Sequence, residues 1–342
     1  MKKPILYLLF LLSTNFLSAQ GTLTFSPSVP SVTNGLVDFT FDLVGGGAGY
    51  DLLVEVSFDN GTNWDVIPAA DIAGQLSNVA PGNISLQWDA MASFTGQVTN
   101  DAVLRVTARH VCGTDFTFDY NGTQVTYGTV LIDYGGSVGE KCWMDRNLGA
   151  EPRPFDPVGT QTNTTTDLYG DLFQWGRGDD GHQVVDWTSS TTGDVTPTTT
   201  TLSTSDNPGH DYFIINNTHP NDWRETQNND LWQGEAGVNN PCPNGWHVAT
   251  NQELDAERQS WDTNDATGAF DSDLRWPAAG ARFDINGNLS SAKVGIHFDV
   301  WSSSAGTGNT ALFLTMLSSS GANMVQTGRA NGKSVRCIRT VE

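Results

Sequence analysis

Two distant cysteine segments constrain this chain more than any other feature of its sequence. Residues 242–254 read CPNGWHVATNQEL, and residues 334–338 read SVRCI. In the first segment, Thr250 and Glu253 have the spacing of a capping box, in which each side chain bonds the other residue's backbone amide. The pattern predicts a short helix after Thr250. Each segment also contains a cysteine, Cys242 in the first and Cys337 in the second. The sequence therefore predicts a disulfide that joins the last strand to the residues before this helix.

The four cysteines indicate two structural disulfides. They are Cys112, Cys142, Cys242 and Cys337. Four cysteines allow three connectivities, and the order of loops and strands favours Cys112 with Cys142 and Cys242 with Cys337. The chain has no Cys-x-x-Cys motif, so structural bridges are favoured over redox catalysis.

Residues 1–20 have the pattern of a secretory signal peptide. Two lysines precede an apolar run, and small residues lead to a cleavage site near Gln20. The apolar run is shorter than the about 20 residues that span a bilayer, and no later window approaches that length. We expect a protein that is secreted or displayed on the outer cell surface, or kept in the periplasm, without a transmembrane anchor.

The charge of the chain excludes nucleic acid as a partner. It has 17 basic and 38 acidic residues and a formal net charge of −21. Affinity for nucleic acid comes largely from basic side chains that neutralise phosphates, and this surface would repel them. Solubility outside the cell is the favoured reason for the acidity, with a cation-binding role left open.

Residues 21–110 predict an all-β sandwich of the immunoglobulin or fibronectin type III kind. Apolar residues alternate with polar ones in four short runs, each typical of a half-buried strand. The sequence Asn60-Gly61 follows the second run and predicts a tight hairpin turn, because both positions need positive φ. The runs lie at residues 37–43, 52–58, 84–88 and 104–108.

A long polar segment, residues 178–241, interrupts the rest of the chain. It is rich in Thr, Ser, Asn and Asp, yet it contains Trp187, Trp223 and Trp232. Such rings either fix the loop to the domain or contact a ligand, and both readings stay open here. For a ligand that is a polysaccharide, we predict the three tryptophans as stacking platforms. The polar contacts predicted beside them are Asp179, Asp180 and His182.

Six motifs from Cys142 onward occur in the order seen in one family of exported bacterial domains. They are CWMDRNLGA at 142–150, YGDLFQWGR at 169–177, the 242–254 segment, WPAAGAR at 276–282, VWSSS at 300–304 and SVRC at 334–337. The chain from Cys112 resembles the Fibrobacter succinogenes major paralogous domain, found mostly in secreted or surface proteins of Bacteroidetes and Fibrobacteres. The resemblance implies a C-type-lectin-like fold over residues 111–342 and no general activity.

The expected fold class is α+β, with the N-terminal β-sandwich followed by a C-type-lectin-like module with long loops. The expected function is non-catalytic binding or adhesion, with an extracellular polysaccharide or surface protein as partner. Two alternatives remain: a structural subunit of a surface appendage, and an extracellular glycan-active enzyme. Formylglycine-generating enzymes share this fold, but they need a reactive cysteine beside copper, and here the cysteines are assigned to bridges. No cofactor or metal is expected; calcium stays open without sequence support.

Overall fold

A computed structural model describes residues 22–25, 31–44, 49–95, 102–151, 161–218, 221–317 and 321–340. The predicted signal peptide and its cleavage site lie outside these described residues. The chain is mostly β, with several antiparallel sheets and a few short helices. It divides into two compact units, of which the first ends at Thr117 and the second begins at Phe118. The sequence placed the boundary between residues 110 and 111.

Two antiparallel sheets build the first unit. Its strands are β1 (Thr22–Phe25), β2 (Ser31–Thr33), β3 (Leu36–Val44), β4 (Tyr50–Ser57), β5 (Asp65–Val66), β6 (Ile72–Ala73), β7 (Gly82–Asp89) and β8 (Val103–His110). One sheet has the order β1-β3-β7-β6, with β2 paired to β3, and the other has the order β5-β4-β8. A 3-10 helix at Ala69–Asp71 and the short helix α1 (Ala90–Ser93) connect strands.

The four predicted alternating runs are strands β3, β4, β7 and β8, and their apolar residues form the core of the first unit. Alternate side chains of a strand point to opposite faces, so each strand buries one face. Both sheets contribute to a single buried cluster, which includes Val37, Phe39, Phe41, Leu52, Val54, Leu86, Trp88, Leu104 and Val106. The connection between β4 and β5 has φ of 57° at Asn60 and 88° at Gly61, which confirms the two positive angles and the hairpin pairing. The connection covers residues 58–64 and is therefore longer than the predicted tight turn.

The second unit contains the remaining sheets. A two-stranded sheet pairs β9 (Phe116–Tyr120), whose first two residues belong to the first unit, with β10 (Thr123–Tyr127). The later strands are β11 (Thr129–Asp133), β12 (Glu140–Met144), β13 (Phe173–Gln174), β14 (Val185–Ser189), β15 (Thr192–Val195), β16 (Thr198–Thr199), β17 (Phe213–Ile214), β18 (His247–Val248), β19 (Asp299–Ala305), β20 (Thr310–Leu317), β21 (Gly321–Gly328), β22 (Gly332–Lys333) and β23 (Cys337–Thr340). The helices are α2 (Asn251–Ser260), α3 (Ala266–Asp271) and a 3-10 turn at Thr166–Leu168.

Two larger sheets carry the second unit. One has the order β11-β12-β23-β18 and the other the order β19-β20-β21. Three pairs are smaller: β13 with β22, β14 with β15, and the parallel pair β16 with β17. The last strand, β23, therefore lies in the middle of its sheet, between β12 and β18.

The disulfides are those that the sequence favoured. Cys242 is bonded to Cys337, with their Cα atoms 5.7 Å apart. Cys112 is bonded to Cys142, and no cysteine in the described part of the chain is free. Disulfides persist in oxidising compartments, so they indicate a location outside the cytoplasm. None of the helices in the described residues is long and apolar enough to cross a membrane.

Helix α2 begins with the predicted capping box. The Glu253 amide donates to the Thr250 hydroxyl at 3.2 Å, and the Thr250 amide donates to the Glu253 carboxylate at 2.9 Å. Each bond satisfies a backbone donor that the helix itself leaves without a partner. Leu254 and Trp261 lie in one buried cluster with residues of the sheets, so the helix is fixed to them by its apolar face.

A buried carboxyl group lies beside β9 and β14. Asp171 is 6% exposed and accepts hydrogen bonds from the Tyr120 hydroxyl at 2.7 Å and the Val185 amide at 3.1 Å. Burial raises the pKa of Asp171 to about 7, although both bonds act to lower it. The folded state therefore binds a proton that the unfolded chain releases near its ordinary pKa of 3.8.

The raised pKa of Asp171 predicts a pH-dependent effect of Asp171→Asn on stability. Because the folded pKa exceeds the unfolded one, the contribution of Asp171 to the free energy of unfolding falls as the pH rises from about 4 to 7. Relative to wild type, the variant should gain about 2 to 3 kcal/mol between about pH 5 and pH 8. Urea unfolding of both proteins at the two pH values measures this. An equal difference at both would contradict the assignment.

Candidate functional site

Large buried side chains fix the polar segment, residues 178–241, to the rest of the second unit. Trp223 and Trp232 are both fully buried. The Trp223 indole nitrogen donates to the Trp175 carbonyl at 2.7 Å, and the Trp232 nitrogen donates to the Arg177 carbonyl at 3.1 Å. The prediction that these two rings are stacking platforms is wrong, because neither ring face is open to a ligand. Burying each large apolar ring offsets the cost of ordering a polar segment.

Trp187, the third predicted platform, is half-buried. Its ring packs edge-on against Tyr169, with ring centroids 4.9 Å apart, and its indole nitrogen donates to the Gly170 carbonyl at 2.8 Å. It belongs to the edge of a small apolar cluster with Ala279 and Val294. Its main observed role is thus to fix the β14–β15 hairpin, and contact with a ligand stays a prediction for its exposed part.

His182 is not a surface contact, as the sequence predicted, but an internal one. It is fully buried, its Nε2 accepts from the Gln174 amide at 3.0 Å, and its Nδ1 donates to Asp180 at 2.5 Å. Burial, together with the nearby Arg177, lowers the pKa of His182 to about 3, although the bond to Asp180 acts to raise it. The imidazole is therefore neutral, and both ring nitrogens already have partners.

Asp180 is occupied by the same network. Burial favours a higher pKa for its carboxyl group, but the bonds from His182 and Arg177 outweigh burial and lower the pKa to about 2. Arg177 is fully buried and donates to Asp180, to the Gln174 side chain and to the carbonyls of residues 210 and 212. Asp180 therefore stabilises the segment and is not available as the predicted ligand contact. Asp179 is exposed, with one long contact of 3.4 Å from the Asn121 amide, and stays a prediction.

An open cavity of about 460 Å³ lies on the polar segment. Its wall comes from the stretches that follow β16 and β17, from residues 222–225, and from single residues of two other loops. It is lined by Thr200, Leu202, Ile215, Asn216, Asn217, Thr218, Asp222, Arg224, Glu225, Ile285 and Asn309. We call these residues the loop cavity. None of them belongs to the set predicted from the sequence.

Backbone pairing positions the walls of the loop cavity. Strands β16 and β17 run parallel, and Ser203 forms a further parallel bridge with Arg224. Asn216 connects two parts of one wall through its side chain. Its side-chain amide donates to the Asp222 carbonyl at 2.8 Å, and its side-chain oxygen accepts from the Thr218 amide at 2.9 Å. Loop residues are thus held by hydrogen bonds of the kind that short polar side chains make with nearby backbone.

Several polar side chains of the loop cavity make no hydrogen bond to the described residues. They are Thr200, Asn217, Thr218, Glu225 and Asn309. Apolar surface lies among them, from Leu202, Ile215 and Ile285, and the Ile285 side chain is 54% exposed. Uncommitted hydroxyl and amide groups beside aliphatic surface are the arrangement that orients and holds a small polar ligand.

A buried carboxyl group borders the loop cavity. Asp222 is 2% exposed; its Oδ1 accepts from the Arg224 amide at 3.2 Å, and its Oδ2 makes no hydrogen bond. The nearest cation to Oδ2 is Arg329, at 3.8 Å. Burial raises the pKa of Asp222 to about 6. Because it is buried and lies beside Arg329, this carboxyl group is an internal part of the cavity wall and is not open to a ligand.

The guanidinium of Arg224 is paired within the protein. It forms an ion pair with Asp206, which also accepts from the Asn228 side chain at 3.0 Å. Its Nε and Nη1 atoms are nevertheless buried without a hydrogen bond to the described residues, so the cavity wall also contains donors. The residues that the structure describes contain no group of three or more His, Cys, Asp or Glu side chains that could hold a metal ion.

A second cavity of about 430 Å³ lies beside α3. It is lined by Gln161, Thr162, Asn163, Ala266, Thr267, Phe270, Asp271 and Arg275. No buried polar atom without a hydrogen bond belongs to these lining residues. The loop cavity is the stronger candidate because it contains such an atom and lies on the polar segment.

Most of the loop cavity lies on the polar segment that the sequence singles out, but its lining residues are not those predicted. The Asn216-Asn217-Thr218 run was visible as amide and hydroxyl groups in sequence. Its partners across the cavity, Ile285 and Asn309, are far away along the chain and could not be matched to it without the fold.

A scan of protein-family models, a search of curated proteins and a search of solved structures found no match to this chain.

Proposed function

We propose that this chain is an exported, non-catalytic binding protein that recognises an extracellular glycan through the loop cavity of its second unit. The observation that carries the proposal is a set of five polar side chains in a 460 Å³ cavity, which lie around aliphatic surface and make no hydrogen bond to the described residues. Sugars present hydroxyl groups at their edges and C–H groups on their faces, so they need both kinds of surface. The signal-peptide pattern and the disulfides support a location where such ligands occur.

We also propose the finer fold assignment. The two sheets around one core support an immunoglobulin-like or fibronectin-like sandwich for the first unit. For the second unit, a C-type-lectin-like module is supported by the bond from Cys242 to the last strand and by the capped helix that follows it. In such a module a disulfide-fixed framework lets long loops carry recognition.

A second candidate function is glycan hydrolysis, because two carboxyl groups, Asp222 and Glu225, line the same cavity. Burial raises the pKa of Asp222 to about 6, and Glu225 is exposed. A buried carboxyl of raised pKa beside an exposed carboxyl is a pattern found in glycosidases. The geometry favours binding instead, since Asp222 is 2% exposed and a glycosidic oxygen cannot reach it. Release of reducing sugar from a bound glycan would show that the protein hydrolyses glycans, in place of the proposed non-catalytic binding.

Filling the cavity should abolish glycan binding. Thr200 is an exposed lining residue, so Thr200→Trp places a large ring in the opening without disturbing a core. On a glycan array, binding by this variant should fall to about a tenth or less of wild type, a loss of about 1.4 kcal/mol or more. Thr123→Trp is the matched control, because Thr123 is an exposed threonine of β10 outside the cavity.

Both variants should melt within a few degrees of wild type, because surface substitutions usually change stability by less than about 0.5 kcal/mol. A wild-type protein that binds no glycan would refute the proposal. So would a Thr200→Trp variant with the wild-type binding profile.

A further inference from the structure

We infer that the loop cavity binds a glycan through the acetamido group of an N-acetylated sugar. The inference rests on the proposed function of this cavity and adds the chemical class of the sugar. Three features of the cavity wall carry it: donor atoms of Arg224 that have no acceptor, aliphatic surface beside them, and the exposed carboxylate of Glu225.

Arg224 has hydrogen-bond donors that the protein does not use. Its side chain lines the cavity and is 10% exposed, and its Nη1 atom forms the ion pair with Asp206. Neither Nε nor Nη2 makes a hydrogen bond to the described residues, and Nη2, unlike Nε, is not buried. A guanidinium has only donors, so the group that fits here is an acceptor of the ligand. Nη2 is the atom that such an acceptor can reach.

The charge around Arg224 favours a neutral acceptor over an anionic one. Asp206 already balances the guanidinium, and the next residue, Glu225, has an exposed carboxylate. The whole chain has a net charge of −21, which adds negative potential around the opening. A uronic acid or a sulfated sugar would be repelled by these carboxylates. An amide carbonyl is a neutral acceptor and avoids this repulsion.

Aliphatic surface lies next to these donors. Leu202 lines the cavity and directly precedes Ser203, which pairs with Arg224 in a parallel bridge. Ile285 lines the same cavity and is 54% exposed. A methyl group of the ligand that covered this surface would remove apolar area from water, which favours binding.

An acetamido group has one part for each of these features. Its carbonyl oxygen accepts from Arg224, and its methyl group packs on the aliphatic surface. Its N–H group donates to Glu225, whose own amide donates to the Ser203 carbonyl at 3.0 Å and fixes the residue in the wall. The Glu225 carboxylate makes no hydrogen bond to the described residues, so it accepts without losing an internal contact. A hydroxyl group lacks the methyl part, and an ammonium group lacks both the carbonyl and the methyl part.

The first test compares sugars that differ only in this substituent. Isothermal titration at neutral pH would measure tetramers of N-acetylglucosamine, glucosamine and glucose with the same linkage. We expect the N-acetylglucosamine tetramer to bind about tenfold more tightly than the other two, as fits one hydrogen bond to a charged donor. Equal affinity for the three tetramers, binding of none of them, or a preference for glucosamine would overturn the inference.

Ile285→Ser tests the contact with the methyl group. Ile285 is largely exposed, so the variant should be about as stable as wild type. Its preference for the N-acetylglucosamine tetramer over the glucose tetramer should fall about threefold, the size expected for one methyl group. Ile296→Ser is the matched control, because Ile296 is also 54% exposed and lies outside the lining residues. The control should keep the tenfold preference, and an unchanged preference in Ile285→Ser would overturn the inference.

Arg224→Met removes the donors and keeps a side chain of similar length. The variant should bind the N-acetylglucosamine and glucose tetramers equally. Arg258→Met is the matched control, because Arg258 is paired with Asp255 on α2, outside the cavity, and the net charge changes equally. The control should keep the tenfold preference. A full preference in Arg224→Met would show that the carbonyl oxygen does not lie on Arg224, and the inference would fall.

Other outcomes separate this inference from the proposed function. If array glycans without N-acetyl groups bind, and Thr200→Trp abolishes their binding, the glycan-binding function stands and the acetamido assignment is wrong. Tighter binding of a galacturonic acid tetramer than of the N-acetylglucosamine tetramer would also overturn the inference, since Arg224 would then select a carboxylate.

Discussion

Replacing Cys337 with alanine is expected to lower the free energy of unfolding by about 4 to 5 kcal/mol. The Cys242–Cys337 bond closes a loop with a sequence separation of 95 residues, and closing a loop of this length restricts the unfolded chain by about that amount. It also holds β23 in the middle of its sheet, next to β18. Urea unfolding of the purified protein under non-reducing conditions measures the change.

The two single variants and the double variant provide the control for this prediction. Cys242→Ala, Cys337→Ala and their combination should be destabilised almost equally, because each removes the same bond. Additive losses would mean that the two side chains stabilise the fold by separate packing. A loss below about 1 kcal/mol would contradict the role of this disulfide as the main constraint on the second unit.

Trp232→Ala is expected to destabilise the protein by about 3 to 5 kcal/mol. Its ring is fully buried, lies 5.7 Å from the ring of Trp175, and donates to the carbonyls of Arg177 and Asn239. The substitution therefore creates a large cavity and leaves the carbonyls of Arg177 and Asn239 without this donor. Thermal or urea unfolding measures the loss.

Tyr212→Ala is the matched control, since Tyr212 is an aromatic residue of the same polar segment but 46% exposed. Its substitution should change stability by less than about 1 kcal/mol. If Trp232→Ala had normal stability and reduced glycan binding, the ring would be a ligand platform, and the buried role described here would be wrong.

The regular parts of the fold were predictable because their signals are local. Alternation of apolar residues gave strands β3, β4, β7 and β8, and the Thr250–Glu253 spacing gave the start of α2. The favoured disulfide pairing was also confirmed. For the strands and the helix start, the residues that make the pattern also make the structure, so local spacing was sufficient.

The polar segment was harder to predict because its structure depends on distant partners. The average composition of the segment is that of a surface loop, although its three tryptophans pack against other residues of the second unit. Whether a ring in such a segment faces inward or outward is decided by the surface it meets. The same reason applies to His182 and Asp180, which the sequence predicts as ligand contacts. In the structure, Arg177 donates to Asp180 and the Gln174 amide donates to His182.

The loop cavity could not be predicted, because it joins residues that are far apart in sequence. Thr200, Asn217 and Asn309 meet only after β16, β17 and the β19–β20 connection are placed. The polar composition of residues 178–241 predicts recognition on this segment, and most of the loop cavity lies there. On the basis of the fold, the proposed ligand contacts are hydroxyl, amide and carboxylate groups instead of the aromatic rings.

The most direct test of this account is a crystal structure of the protein with the glycan that binds it most tightly on the array. The account predicts a sugar residue in the loop cavity, with hydrogen bonds to Asn217 and Asn309, and with its polar substituent at Glu225. A sugar bound elsewhere on the protein, with the loop cavity holding only solvent, would contradict it.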